Sequence, residues 1–226
     1  CYFLWNIKHN NPCKYYSHSA YNVNMVERFL NSNDSDVVIR DAGLLNILEK
    51  VLSHKEETFS NLVLPRNPFG VFDYETYLVN SYNPNGYKLF GRFNNIRTTL
   101  FLNDNYVVAK NKEVAIMWKV FISKADGAAG QIGNPIPAKI IGKAVIGDNN
   151  TICTETFLAI GPFSTELQCQ NVVKYTETKF FRIVVGIRKN KNMTRDTYKF
   201  VPLQDFTANS DIDWNQSIAE IDAQLY

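Results

Sequence analysis

The sequence predicts an α+β fold in which a twisted mixed β-sheet forms the centre and helices flank it. Two observations lead to this prediction. From Phe69 to Ile146 the chain is a series of short alternating or apolar runs separated by Gly, Pro and Asn, a pattern typical of strands and turns. After Thr165 the apolar residues change to helical spacing, beginning at a T-x-x-Q capping box.

The amino-terminal part predicts a hairpin followed by a helix. Cys1–Trp5 is apolar and reads as a buried strand, a polar turn follows, and a second strand is expected near Ala20–Val26. Val37–Arg40 predicts another short strand. Asp41 can then cap a helix whose apolar residues share one face, namely Leu44, Leu45, Leu48, Val51 and Leu52.

The centre predicts a helical turn, several strands and one long loop. Thr58–Leu64 is expected to be a short turn of helix that ends before Pro65. The candidate strands are Gly86–Phe90, Arg97–Leu102, Val114–Ile122 and Ala144–Ile146. Ala125–Pro137 contains three glycines and two prolines in 13 residues, so it predicts an irregular surface loop of the kind that often carries function.

The carboxyl-terminal part predicts one strand and three helical segments. Thr154–Ile160 reads as a strand, and the helix after Thr165 should turn Leu167, Val172, Val173 and Tyr175 inward. Phe180–Ile187 is a second amphipathic stretch that continues this helix or follows a bend. After the apolar segment Tyr198–Leu203, Asp213 is expected to cap a last helix that contains Trp214, Ile218, Ile221 and Leu225.

Composition excludes several classes of protein. The chain has 226 residues, of which 45% are hydrophobic and 20% charged, so collagen, coiled-coil and disordered chains are excluded. No apolar stretch approaches the roughly 20 residues needed to span a bilayer, and we expect no membrane contact. The four cysteines and three histidines form no zinc pattern, and no secretory signal is recognisable. We therefore expect no metal site, reduced thiols and a cytoplasmic protein.

The net charge of +2 conceals a gradient along the chain. The first 173 residues carry +1, residues 174–199 carry +6, and residues 200–226 carry −5. A basic helix and turn beside a Gly-rich loop is typical of contact with the phosphate backbone of a nucleic acid. The alternative is a solvated helix end, where cations near the carboxyl terminus are favoured by the helix dipole.

Two motifs contain residues of the types that catalysis uses, and a structural role is the favoured interpretation of both. Asn67–Gly70 resembles the N-P-P-[FYW] loop of adenine aminomethylases but lacks the second proline and the final aromatic residue, so it predicts a Pro-Gly turn. Glu177-Thr-Lys179 with the upstream Asp148 fits a loose metal-dependent nuclease pattern. It lies on a predicted helix, where a solvated face is the better interpretation.

A set of segments in the second half of the chain resembles the carboxyl-terminal region of bacterial adenine-specific DNA methyltransferases of restriction–modification systems. The segments are Thr154–Phe157, Ile160–Phe163, Thr178–Arg182, Tyr198–Phe206, Ser210–Trp214 and Ile221–Tyr226. The opening Cys1–Trp5 is similar to the strand at which the catalytic domain of those enzymes meets the target-recognition region. Pro68–Gly70 and Ile122–Ala125 fit the same pattern between them.

The resemblance implies a DNA-recognition domain that is not itself catalytic. Residues 1–210 would form this domain, with residues 1–30 alternatively the end of the upstream catalytic domain, and 211–226 a helix cut short. The fragment would hold no cofactor, because S-adenosylmethionine belongs to the upstream domain. The implied partners are double-stranded DNA, the upstream methyltransferase domain and other restriction–modification subunits.

The predicted DNA-binding residues fall into three groups. Base edges or phosphates can be reached from the loop by Ser123, Lys124, Gln131 and Asn134, with Lys139, Lys143, Arg92 and Arg97 as further candidates. Phosphate contacts are expected from Lys179, Arg182, Arg188, Lys189, Lys191 and Arg195. Thr154 and Glu155 are either contacts or buried anchors of the sheet. Two other functions stay open: a protein-interaction module that uses the acidic terminal helix, and a metal-dependent nuclease.

Overall fold

The computed structural model describes residues 3–18, 22–30, 37–39, 42–125 and 140–225. The chain divides into two compact units, Cys1–His54 and Lys55–Tyr226. Both helices and strands are abundant, which confirms the predicted α+β class. Within the described ranges, no helix has the length and apolar character that crossing a membrane requires.

The first unit contains an antiparallel hairpin of strands β1 (Cys13–His18) and β2 (Val23–Arg28). A hairpin is therefore present, but further along the chain than predicted. Phe3, Leu4 and Trp5 form no strand and are 84%, 100% and 70% exposed, so the prediction of a buried strand is wrong for this segment. Apolar character alone does not make a strand, because a strand also needs a neighbour to complete its hydrogen bonds.

After the hairpin, the described residues of the first unit include a short irregular stretch and a helix. Residues 37–39 are irregular rather than a strand, although Ile39 is buried and its carbonyl accepts a hydrogen bond from the Arg28 guanidinium. A 3-10 turn at Ala42–Leu44 leads into α1 (Leu45–Ser53). Leu48 and Val51 are the buried residues of this helix, in agreement with the predicted apolar face.

The second unit is built on seven strands within the described residues. They are β3 (Leu78–Val79), β4 (Lys88–Phe93), β5 (Ile96–Leu102), β6 (Trp118–Ser123), β7 (Val145–Gly147), β8 (Thr151–Cys153) and β9 (Phe157–Phe163). The order β3-β5-β4-β8 forms a mixed sheet in which β4 and β8 are parallel, and β7-β6-β9 forms an antiparallel sheet. The predicted centre is therefore two sheets rather than one.

Aromatic side chains pack the two sheets together. The Phe90 ring on β4 lies 5.6 Å from the Phe121 ring on β6 and 4.6 Å from the Phe157 ring on β9, measured between ring centroids. All three side chains are buried and belong to one apolar core. This core holds the ends of the β-strands in fixed relation to each other.

Two of the predicted strands begin later than the sequence pattern indicates. The predicted strand Val114–Ile122 opens as a short helix, α2 (Lys112–Ala115), before β6 begins. The predicted strand Thr154–Ile160 opens as a turn, because the amide of Phe157 donates to the Thr154 carbonyl at 3.2 Å. The predicted helical turn after Thr58 is present as a 3-10 helix at Phe59–Leu62.

The helices α3 (Glu166–Glu177) and α4 (Lys179–Arg188) follow the sheets. The predicted capping box is confirmed, because the amide of Gln168 donates to the Thr165 hydroxyl and the Gln168 side chain accepts from the Thr165 amide. Thr178 has an extended backbone and separates the two helices, so the second amphipathic stretch follows a bend. Leu167 was predicted to point inward but is 48% exposed, since it lies in the first turn.

The last helix, α5 (Ile218–Gln224), begins later than predicted. Ser217 caps it through a capping box with Glu220, so the assignment of the cap to Asp213 is wrong. The Ser217 hydroxyl accepts from the Glu220 amide and the Glu220 carboxylate accepts from the Ser217 amide, whereas Asp213 accepts from the Asn215 amide instead.

Candidate nucleic-acid interface

Two predicted contact residues meet where β6 ends. Ser123 is buried, and its hydroxyl accepts a hydrogen bond from Arg97 Nη2 at 2.6 Å. The Arg97 guanidinium also lies 5.8 Å from the centre of the Phe157 ring, while the residue as a whole remains exposed. Ser123 therefore orients Arg97 and is too enclosed for the direct contact that the sequence predicts.

The basic segment lies against both flanks of the Gly-rich loop. On one flank, the amide of Met193 donates to the Lys124 carbonyl at 2.6 Å. On the other flank, Lys189 Nζ donates to the Ile140 carbonyl. Gln131, Asn134 and Lys139 of the loop lie outside the described residues, as does most of the predicted loop itself. Sequence separation hides this arrangement, which joins positions 49 to 69 residues apart.

The other cations of this turn divide into those that brace the segment and those that face solvent. The Arg188 guanidinium lies 4.6 Å from the Phe200 ring centre, and Arg195 Nε donates to the Ser60 carbonyl at 2.9 Å. Lys191 and Lys143 are exposed. The exposed lysines are therefore the ones best able to approach a phosphate.

Lys179 and Arg182 lie apart from this turn. They lie in the first half of α4, and at 1.5 Å per residue Lys179 and Arg182 are about 13.5 and 9 Å along the axis from Arg188, its last residue. Arg182 Nε donates to the Thr176 carbonyl at 3.2 Å, which satisfies the end of α3. The six phosphate-binding candidates thus do not form one continuous patch.

One acidic side chain of the −5 segment, residues 200–226, contacts this same beginning of α4. Asp222 Oδ1 accepts a hydrogen bond from the Phe180 amide at 2.8 Å, an arrangement that the helix dipole favours. Lys174 Nζ donates to the Trp214 carbonyl. Residues of the −5 segment are therefore packed against the +6 segment within the second unit.

Lys119 was missed by the sequence analysis. It is fully buried on β6, and its ammonium donates to the carbonyls of Ala115, Asp148 and Thr151 at 2.8, 3.0 and 2.8 Å. Burial lowers the pKa of Lys119 to about 8, an effect that the nearby Asp148 carboxylate opposes. These three hydrogen bonds connect α2 to the turn between β7 and β8 and to the start of β8. In the sequence, this role is indicated only by the presence of a lysine within an apolar strand.

A cleft of about 390 Å³ lies beside this lysine. It is lined by Lys88, Phe90, Thr99, Trp118, Phe121, Val145, Ile146, Asp148, Thr151 and Glu166. Lys88 and Asp148 form an ion pair at 2.5 Å, and Thr151 also donates to the Asp148 carboxylate. Burial would raise the pKa of Asp148, but the hydrogen bonds from Lys88 and Thr151 lower it. The polar side chains of Lys88, Asp148 and Thr151 in this cleft therefore form hydrogen bonds with one another.

The two candidate catalytic motifs, Asn67–Gly70 and Glu177–Lys179, have structural roles. Asn67 adopts a positive φ of 52°, and its side-chain oxygen accepts from the Val71 amide at 3.1 Å, as expected of a turn. Glu177 and Lys179 flank the bend between α3 and α4. Within the described residues, no group of three or more His, Cys, Asp or Glu side chains is arranged to hold a metal ion.

Glu155 is not a buried anchor of the sheet, whereas Thr154 is half-buried and its amide donates to the Phe90 carbonyl on β4 at 3.0 Å. Glu155 pairs with Arg66 at 3.1 Å, and both side chains are more than half exposed. Thr154 shares a hydrogen bond with the Thr156 hydroxyl. The pair lies in the turn before β9, close in sequence to the Phe157 ring that Arg97 contacts.

The sequence matches no protein-family model. A comparison with curated proteins likewise finds no significant match. The charges and contacts of the chain's own residues therefore carry the functional assignment.

Proposed function

We propose that the chain is the target-recognition region of an adenine-specific DNA methyltransferase of a restriction–modification system. In this proposal it binds double-stranded DNA and performs no chemistry itself. An upstream domain of the parent protein binds S-adenosylmethionine and methylates the adenine that it extrudes from the duplex. Other subunits of the restriction–modification system are further partners.

One observation carries the proposal. Lys189 and Met193, both in the basic turn, are hydrogen-bonded to the two flanks of the Gly-rich loop, at Ile140 and Lys124. Positive charge is thereby held beside both ends of the segment that the sequence predicts to be an irregular loop. DNA-binding proteins combine these two features, because cations fix the register on the backbone and loops read the bases.

The contacts also divide the work among the cations. Arg188 and Arg195 interact with Phe200 and with the Ser60 carbonyl, so they hold the turn in place. Lys191 and Lys143 are exposed and are assigned to the phosphates. Loss of an exposed lysine should weaken binding to all sequences equally, since the phosphate backbone is common to them.

The protein-interaction alternative has less support. It relies on the acidic terminal helix as a docking surface for another subunit. The apolar residues that such a helix would offer, Ile221 and Leu225, are 0% and 6% exposed in the second unit. The helix already uses its apolar face within the chain.

The proposal is tested by the salt dependence of duplex binding. Fluorescence anisotropy with a labelled pool of random duplex DNA is measured from about 50 to 200 mM salt for the wild type, Lys143→Gln and Lys191→Gln. Each variant is expected to flatten the slope of log affinity against log salt by about 0.9, the value for one lost phosphate contact.

Lys112→Gln is the matched control. Lys112 is exposed and lies in α2, before the start of β6, so the length of that strand separates it from Ser123. It changes the net charge by the same amount but should leave the slope unaltered. Equal slopes for all four proteins would exclude the assigned phosphate contacts, and no duplex binding by the wild type would refute the proposed function.

A further inference from the structure

The hairpin of β4 and β5 ends in an exposed tip. Asn94 and Asn95 form its two-residue turn, with positive φ values of 48° and 64°. Positive φ at both positions is typical of a type I′ turn, which closes two twisted strands tightly and accepts asparagine readily. Both asparagines are exposed, as are Arg92, Ile96 and Arg97.

Arg92 and Arg97 are direct partners in the ladder between these strands. Side chains of directly opposed residues project from the same face of a sheet, and like charges in such a pair repel each other. An anion or an electronegative group placed beside them relieves that repulsion. The pair therefore favours a ligand rich in hydrogen-bond acceptors.

Both arginines are held by further contacts. Arg97 donates to the Ser123 hydroxyl at 2.6 Å, and Arg92 Nε donates to the Asn95 carbonyl at 3.3 Å. A side chain that is oriented before binding loses less conformational entropy when a ligand arrives. The arginines are thus prepared for directional hydrogen bonds rather than for diffuse attraction alone.

Ile96 is 67% exposed at the same tip. Its direct partner, Phe93, packs edge-on against Tyr74 with ring centroids 5.7 Å apart. The aromatic contact anchors the hairpin, whereas packing within the described chain leaves most of Ile96 in water. Ile96 projects from the face of the ribbon opposite to Arg92 and Arg97, so the tip offers an apolar group on one face and two guanidinium groups on the other.

We infer that the tip of the β4–β5 hairpin enters the major groove of double-stranded DNA and reads base edges. The inference rests on the proposed function and names its reading element. Two paired strands lie about 4.8 Å apart, and the major groove, about 12 Å wide, admits such a ribbon. Arginine pairs with guanine, asparagine with adenine, and an apolar group with the thymine methyl. The tip carries all three kinds of side chain.

The position of the hairpin agrees with this role. Through Arg97 it contacts Ser123, and the next residue, Lys124, is bonded to the basic turn at Met193. Ser123 and Lys124, which are consecutive in the chain, therefore connect the hairpin to the basic turn that contains Lys191.

The experiment selects bound sequences from a random duplex pool with the full chain. Wild type, Arg92→Gln, Ile96→Ser and the controls Lys112→Gln and Ile116→Ser are compared by sequencing. Ile116 is also exposed, at 55%, but lies before β6. We expect Arg92→Gln and Ile96→Ser each to lower the preference at one or two base positions by at least about fivefold. Both controls should retain the wild-type preference.

Protection of guanine N7 from dimethyl sulfate provides a second measurement on the selected duplex. N7 lies in the major groove, so the wild type should protect it and Arg92→Gln should restore its methylation. Unchanged base preferences in both hairpin variants, or wild-type protection confined to adenine N3 in the minor groove, would overturn the hairpin assignment while the proposed function stands. A wild type that binds no duplex would overturn both. Circular dichroism confirms that each variant is folded.

Discussion

Arg97 and Ser123 join the two sheets of the second unit. Arg97 lies on β5 of the mixed sheet, Ser123 ends β6 of the antiparallel sheet, and 2.6 Å separates Nη2 from the hydroxyl oxygen. The bond lies outside the apolar core that Phe90, Phe121 and Phe157 form. It therefore links the candidate interface to the packing of the sheets.

This bond should contribute measurably to stability. A hydrogen bond to a charged group contributes about 1.5–3 kcal/mol, and the exposure of Arg97 places the expected value at the lower end. We predict that Ser123→Ala and Arg97→Met, measured singly and together by urea denaturation, show a coupling energy of about 1.5 kcal/mol. Strictly additive effects would contradict a direct interaction. Ser81→Ala, which removes the hydroxyl of an exposed residue, serves as the control.

The acidic terminal helix should be needed for the stability of the second unit. Ile221 is fully buried, and truncation of a buried isoleucine to alanine costs about 2–5 kcal/mol. We predict that Ile221→Ala lowers the free energy of unfolding by this amount in urea. Leu167→Ala removes a side chain that is 48% exposed and should cost much less. Similar losses for both variants would argue against the packed position of α5.

Lys119 should make the free energy of unfolding rise with pH. The pKa of Lys119 is lowered to about 8 by burial, and an unfolded lysine has a pKa of about 10.4. Between these values the unfolded chain binds more protons, so unfolding becomes less favourable as the pH rises. We predict that the free energy of unfolding of the wild type, relative to that of Lys119→Met, rises by roughly 1 kcal/mol from pH 7 to pH 9.

The comparison with Lys119→Met also removes the effect of the buried thiols. Burial raises the pKa values of Cys153 and Cys169, so both cysteines destabilise the folded protein as the pH rises above 9. Wild type and variant share that loss, which cancels in the difference. Urea denaturation at each pH provides the measurement, and a difference that stays constant or shrinks would contradict the lowered pKa.

The chain is expected not to cleave DNA. Glu177 and Lys179 flank a bend between helices, and Asp148 is engaged by Lys88 and Thr151. We predict that supercoiled plasmid incubated with the protein and Mg²⁺ stays supercoiled on an agarose gel. Linear or nicked product that disappears with Glu177→Ala, but persists with Glu166→Ala, would establish the nuclease function instead.

The candidate site was only partly predictable. The sequence identified the basic segment and the Gly-rich loop, because charge and glycine content are visible without a fold. It did not show that Lys189 and Met193 contact the loop flanks, or that Arg182 donates to the Thr176 carbonyl at the end of α3. Ser123 was expected to reach DNA and is buried, since a residue's exposure depends on the strands beside it.

The features that could be predicted from the sequence alone are local ones. The capping box at Thr165, the turn at Asn67 and the buried face of α1 depend on residues a few positions apart, so their patterns are legible in one segment. Only the tertiary structure decided the separation into two sheets, the three carbonyls around Lys119 and the packing of Asp222 against α4. Each of these joins distant parts of the chain, and such contacts depend on how the core packs rather than on any one segment.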